Sequence, residues 1–514
     1  MQAQIDRRHR LPVFLICGLA GVAACHPAPK VPLASRNAAL ESSPPAAEER
    51  PVDPSAPTPS SLEPAEELPP DLGTRNTGSD WPRFLGPLAD GKSSETGIRK
   101  AWPAEGPPVR WSLRVGRGYG VPAVSRGRLF LFDRYQDKAR LTCLKAETGE
   151  ELWRAEYATH YEGYYESDGG PVATPIVDGD RVYTFGIEGR LRCHRAVDGK
   201  LLWDVDTAAR FGVVQDLYGA GSTPWIEGDL LIAVIGGSPP GSPDIFTDEV
   251  RGNGSGIVAF DKHTGEVRYS LSDELAGYSS PIVATLGGRR WGFAFTRGGL
   301  LAFDPLRGKV DFSFPWRDPE HRGINAAMPV VVDDTVFITE AYGMGGAMLR
   351  IRADGTYEVV WKDPSPDGSK KLAAHWNTPI YHRGYLYGMS GRTSQDAELR
   401  CVKHATGEVM WRKTGLKMAT LLYADEHLIV VTEFGRMLLV KADPERFQAV
   451  ADVNLFEPRP EYPWSLPVEP GDELPAVVKP LLRYPVWNAP VLAHGLLYVR
   501  GWTQLVCFDL SAPD

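Results

Sequence analysis

The chain has 514 residues, is 43% hydrophobic, and carries a formal net charge of −9 from 56 basic and 65 acidic side chains. No basic block breaks that balance, which argues against nucleic acid as a partner, because phosphate binding needs clustered lysine and arginine. Its 14 tryptophans and 53 glycines suit many short strands and tight turns.

The N-terminus reads as an export signal over residues 1–24. Arg7, Arg8 and Arg10 form a basic region, and Leu11 to Ala24 is an apolar stretch too short to span a bilayer comfortably. Asp6 and Arg10 fit a twin-arginine signal poorly, so the general secretory route is expected. The stretch ends in Val22-Ala23-Ala24-Cys25, which resembles a bacterial lipobox. That resemblance implies a diacylglycerol on Cys25 and cleavage before it. His26, which is not the aspartate that retains such lipoproteins at the inner membrane, implies the outer membrane, facing the periplasm. Residues 25–78 are rich in Pro, Ala, Glu and Ser and cannot bury a core, so they read as a semi-extended tether. Aromatic residues begin abruptly at Trp81, and the folded domain is placed at 79–514.

From there the sequence repeats. A short apolar strand opens with Pro122, Pro175, Pro224, Pro281, Pro329, Pro379 and Pro490, with a divergent copy at Thr420. Each is followed by Gly/Asp turn residues and an alternating run, the pattern of a hairpin. A second hairpin follows, as in LKAETGEELW (144–153), HRAVDGKLLW (194–203), FDKHTGEVRY (260–269) and VKHATGEVMW (402–411). The unit is therefore four antiparallel strands. The closing aromatics Trp153, Trp203, Tyr269, Phe312, Trp361 and Trp411 are expected to dock one sheet on the next. The eighth unit lacks a fourth strand, whereas a spare strand, VRWSLRVG (109–116), precedes the first, with Trp111 one repeat interval before Trp153. That strand should complete the eighth blade and close an all-β, eight-bladed propeller without an open edge. Cys143, Cys193, Cys401 and Cys507 occupy one equivalent position on separate blades, too far apart for disulfides, and read as buried thiols.

The A-x-x-T-G-x-x-x-W turns and the TPIVDGDRVY strands resemble the PQQ-like (pyrroloquinoline quinone) repeat. The opening DWPRFLGP (80–87) is similar to the W-P-x-F-R-G-P start of an envelope lipoprotein branch, with Leu85 where that branch carries Arg. The resemblance covers about residues 79–514 and implies an eight-bladed propeller. The family includes a lipoprotein of the outer-membrane barrel-insertion machinery, which implies a binding or assembly scaffold. It also includes quinoprotein dehydrogenases, the alternative reading. Those enzymes carry a vicinal cysteine pair and a calcium-binding Glu/Asn/Asp set, which this sequence does not offer, so neither PQQ nor a metal is expected.

Turns joining strands one to two and three to four are short and share one face, and the longer connections share the other. Residues just before the innermost strands should ring the channel mouth on that long-loop face: Tyr119, Asp168, Tyr218, Tyr278, Asn325, His375, Asn377, Lys417, Trp487 and Asn488. Envelope proteins or a small polar ligand are the partners expected there, with a monomer as the oligomeric state. The same residues could instead satisfy strand ends around a water-filled channel. His160, His321 and His375 follow the blade repeat rather than a metal-ligand spacing. Glu162, Glu166 and Asp168 read as a solvated acidic loop before an acid–base pair, and Asp178-Gly179-Asp180 as hairpin chemistry. With no nucleophile or phosphate loop, a non-catalytic scaffold is preferred to an enzyme.

Overall fold

The computed structural model describes residues 68–73, 78–161, 169–212, 218–242, 250–318, 323–364, 369–457 and 477–512. Cys25, the signal segment, Glu162, Glu166, Asp168 and His321 lie outside them. The compact unit runs from Ala65 to Asp514. Among the described residues, eight antiparallel sheets follow one another as the blades of a propeller. The first strands include Ala123–Ser125, Ile176–Asp178, Trp225–Glu227, Ile282–Leu286, Val330–Val332 and Ile380–His382, each starting just after its proline. Proline suits that position because the first residue of a strand need not donate to the ladder. Blade 7 begins at Ala419–Ala424, the divergent copy, and blade 8 at Val491–Ala493.

Val109–Arg114 pairs antiparallel with Gln504–Asp509 and supplies the missing outer strand of blade 8. At this seam the guanidinium of Arg500, 1% exposed, donates to the carbonyls of Gly120, Phe132 and Gly116. Burial pushes its pKa down to about 10.

The outer hairpins explain the repeated motif. Trp111, Trp153, Trp203, Trp361 and Trp411 each donate their indole N–H to a carbonyl at the base of the next blade's outer turn: Ala146, Ala196, Lys262, His404 and Asp443, at 2.8–3.0 Å. Tyr269 donates its hydroxyl to Pro305 in the same way at 2.6 Å. The turn glycine of that next blade lies on the ring. A Cβ on Gly199 would meet Trp153 at 2.5 Å, and one on Gly265 would meet Trp203 at 2.9 Å. Gly199 also holds φ +75° and Gly265 φ +76°, so the turn needs glycine twice over. Phe312 has no donor and packs on Tyr357 instead, centroids 4.7 Å apart. Small or flexible side chains face the aromatics across the pair: Cys143 opposite Trp153, Cys193 opposite Trp203, Cys401 opposite Trp411, Cys507 opposite Trp111. All four cysteines are buried thiols outside any disulfide, and burial pushes the Cys143, Cys193 and Cys401 thiols up to about 12.

Two features depart from the sequence reading. Val477–Leu482, inside a stretch expected to be irregular, adds a fifth strand to blade 7, parallel to Ala449–Phe456. Its VVKPLL sequence is apolar enough to pair, and Pro480 is tolerated because, among the described residues, no strand pairs with its outer edge. The opening segment DWPRFLGP, read only as the start of the domain, continues as a strap across the short-turn face. Trp81 exchanges two backbone hydrogen bonds with Val124 of blade 1, and Pro82 accepts from Val177 of blade 2, all at 2.8 Å. Arg83 lies 4.7 Å over the Trp225 ring of blade 3. Further on, Gly91 and Ser93 bond to Tyr423 of blade 7, Glu95 accepts from Gly495 of blade 8, and Arg99 donates to Leu510. Phe84 packs against both the core of blades 7, 8 and 1 and the core of blades 3 to 5, which places it near the ring axis. The strap closes the short-turn end of the channel.

Candidate functional site

At the opposite end, several of the segments entering the first strands are tied to their neighbours by bonds from backbone N–H groups to side-chain hydroxyls. At four of the prolines the preceding residue lends its N–H to the hydroxyl of the Thr or Ser before the next blade's proline: Val121 to Thr174 (3.2 Å), Thr174 to Thr223, Thr223 to Ser280 and Met328 to Thr378 (each 2.9 Å). The recurrent T-P and S-P pairs carried that signal. The three asparagines belong to the same framework. Asn325 donates its amide to Thr296 O at 2.7 Å, Asn377 to Ala419 O and Asn488 to Tyr119 O. All three are buried, and one amide proton of each is used within the mouth's own architecture.

The aromatics form two groups on this frame. Tyr218 and Tyr278 meet edge to face at 5.3 Å, and the Tyr218 N–H donates to the Tyr278 hydroxyl at 2.9 Å. The larger group is a continuous array. Tyr342 meets His375 at 5.0 Å, His375 meets Trp376 at 4.8 Å, Trp376 meets Trp487 at 5.3 Å, and Trp487 stacks on Tyr119 at 5.7 Å. These rings come from blades 5, 6, 8 and 1 and are half-buried. Tyr119, His375 and Trp487 were expected at the mouth, and the structure brings them together.

Trp376, Tyr342 and Glu433 were missed. Trp376 had a signal: His-Trp-Asn-Thr-Pro before blade 6 and Val-Trp-Asn-Ala-Pro before blade 8 place Trp-Asn at one equivalent position. Glu433 had none, because its role depends on which loops meet. Only 2% exposed, it accepts from the Ser394 hydroxyl at 2.6 Å, the Met418 N–H at 3.0 Å and the Trp487 indole at 3.2 Å. Burial raises its carboxyl above the usual range, against the pull of those donors and of Lys417. The Trp376 indole donates to Trp487 O at 3.2 Å, so the N–H groups of both tryptophans are used internally and the rings are fixed in place. Lys417, held at φ +60°, lines a polar cavity of about 260 Å³ with Ser394, Asp396, Glu398 and Thr414.

This arrangement suits recognition by ring faces in a pre-organised mouth. Among the described residues no group of three or more His, Cys, Asp or Glu is placed to hold a metal, and the described cysteines sit one per blade inside separate sheets.

A closed ring of eight blades with a strap on one face and an array of aromatic rings on the other defines the class: an eight-bladed β-propeller. The family described as outer membrane protein assembly factor BamB, with PQQ-like repeats, matches residues 137–413, more than half of the chain, and the chain belongs to that family. The fold is that of the solved BamB from Moraxella catarrhalis, at 14% identity and TM-score 0.51, covering 79% of this chain and 98% of that one. Quinohemoprotein alcohol dehydrogenase from Comamonas testosteroni is similar at 12% identity and TM-score 0.47, over 85% of this chain and 81% of that one. The computationally designed Ika8 protein is similar at 9% identity and TM-score 0.44, over 77% and 96%. No curated protein matches the chain in sequence.

Proposed function

We propose that this chain is a lipid-anchored protein of the bacterial cell envelope that serves as a binding and assembly scaffold, engaging an envelope protein through its long-loop mouth. The observation that carries this reading is the contrast between the two ends of the channel. One is covered by the chain's own strap, from Trp81 to Arg99, whereas the other presents the fixed aromatic array from Tyr342 to Tyr119. Membership of a family described by outer membrane assembly supports the envelope setting, as does the lipobox-like sequence before Cys25. Rigid Trp and Tyr faces offer contact area at low entropic cost, as protein-binding surfaces require. Quinone-dependent oxidation is the alternative reading.

The test is capture from envelope membranes by the full chain. The buried asparagines are poor targets, because substituting them would disturb the ring itself. Gln395→Arg with Thr414→Arg adds bulk and charge at exposed positions beside the array and should abolish capture without changing the melt. Lys200→Ala with Glu266→Ala, exposed on the outer turns of blades 2 and 3, should leave capture intact. The opposite pattern would move the binding surface to the short-turn face.

A further inference from the structure

Asn253-Gly254 is the single Asn-Gly pair in the chain. It lies on the long-loop face, in the segment of blade 3 that joins Leu230–Val234 to Ile257–Asp261, and Asn253 is exposed. Because glycine has no Cβ, its backbone nitrogen can swing onto the preceding asparagine side chain at little steric cost. A Cβ on Gly254 would meet nothing within 4 Å, so there is room for that approach.

Each atom such an attack would use already has a partner. The Gly254 N–H, the nucleophile, donates to Asp273 Oδ1 at 2.8 Å. Asn253 Oδ1 accepts from the Ser255 hydroxyl, and Asn253 Nδ2 donates to the Phe211 carbonyl at 2.5 Å. A carbonyl can only accept, so this orientation of the amide is the one that satisfies both ends. The segment is pinned on the Asp273 side as well. The Gly256 N–H donates to Ser272 O at 2.8 Å, and a Cβ on Gly252 would meet Asp273 O at 2.2 Å. Nucleophile, base and electrophile are therefore held together by the fold.

We propose that Asn253-Gly254 is a self-modification site, where the fold promotes loss of the Asn253 side-chain amide with Asp273 as the base. Asp273 takes the proton from Gly254 N as that nitrogen bonds to Asn253 Cγ. The negative charge developing on Oδ1 is met by the Ser255 hydroxyl. The Cγ–Nδ2 bond then breaks, Asp273 returns the proton to the leaving nitrogen, and ammonia departs from a cyclic imide. Water, the sole co-reactant, adds to either imide carbonyl and opens the ring, leaving aspartate or isoaspartate at position 253. The product carries a carboxylate where a donor stood, so it no longer donates to Phe211, the last residue of the helix Thr207–Phe211. A tie between two segments of the long-loop face is lost, and the new charge faces Asp273. That face changes with the age of the molecule.

The full chain would be incubated at neutral pH, sampled over time, and mapped by mass spectrometry with detection of isoaspartate. The expected result is conversion of Asn253 to aspartate and isoaspartate while Asn325, Asn377 and Asn488 stay intact. Conversion should be faster than in a free peptide of residues 250–258, which has the motif but not Asp273. Asp273→Asn keeps an acceptor for the Gly254 N–H but is no base, and it should slow conversion at least about tenfold. An intact Asn253 overturns the proposal. So does conversion no faster than the peptide's, which would mean that the fold shields the pair. Equal or faster conversion in Asp273→Asn overturns the assignment of the base. If Asp273→Asn does not fold, the comparison of full chain with peptide is decisive alone.

Discussion

The indole of Trp203, 8% exposed, is held both by its N–H bond to Lys262 O and by the bare face of Gly265. Trp203→Ala should therefore lower stability by about 3–5 kcal/mol, the loss expected for a buried aromatic. Trp153 and Trp411 are only half-buried and belong at or below the lower end. Chemical denaturation measures both, and loss of partner capture at unchanged stability would give these rings a different role. The glycine side of the contact has its own test. Gly199→Ala must adopt φ +75° and place a methyl 2.5 Å from Trp153, so it should cost more than the roughly 1 kcal/mol of the backbone term alone. Gly228, with φ +58° and open space around it, is the control that isolates the backbone term.

Among elements, the seam between the N-terminal and C-terminal strands closes the ring. Removing residues 109–116 should expose the edge of Gln504–Asp509 and take away the Gly116 carbonyl that accepts from Arg500, giving aggregation in light scattering. Removing residues 26–64 should leave the thermal melt unchanged. Residues 69–72 must stay, because Pro69, Pro70 and Leu72 bond to Arg126 and Arg128 of blade 1. A truncation at 109–116 that stays monomeric with the parent melt would refute the closure. The blades were legible in the sequence because each carries two punctuation marks with local causes, a proline that opens a strand and a glycine turn. The bulge between Cys143 and Leu144, repeated in every outer pair, was not, because it appears only when two strands are in register. Nor was the strap: Phe84 and Leu85 look like ordinary apolar residues until the ring places one near its axis and the other in the core of blades 3 to 5. The mouth was half legible. Tyr119, His375 and Trp487 follow from strand order, whereas the bond each asparagine makes to a backbone carbonyl of another segment does not, and Glu433 needed three blades to meet.

For the whole molecule, attachment to the membrane is the decisive claim, and it rests on Cys25. Cys25→Ser should lose the acyl mass and leave the membrane fraction, and unchanged retention would remove the anchor from the proposed function. The seam also sets an order of events during synthesis. Val109–Arg114 has no partner strand until Gln504–Asp509 has been made, and the strap cannot settle before Tyr423, Gly495 and Leu510 exist to hold it. Loop closure over such a separation is slow. A nascent chain therefore carries an unpaired edge strand for almost the whole of its elongation, then completes ring, seam and floor together at the end. Premature termination anywhere before Gln504 leaves a product that proteases and chaperones meet as an open edge rather than as a smaller propeller.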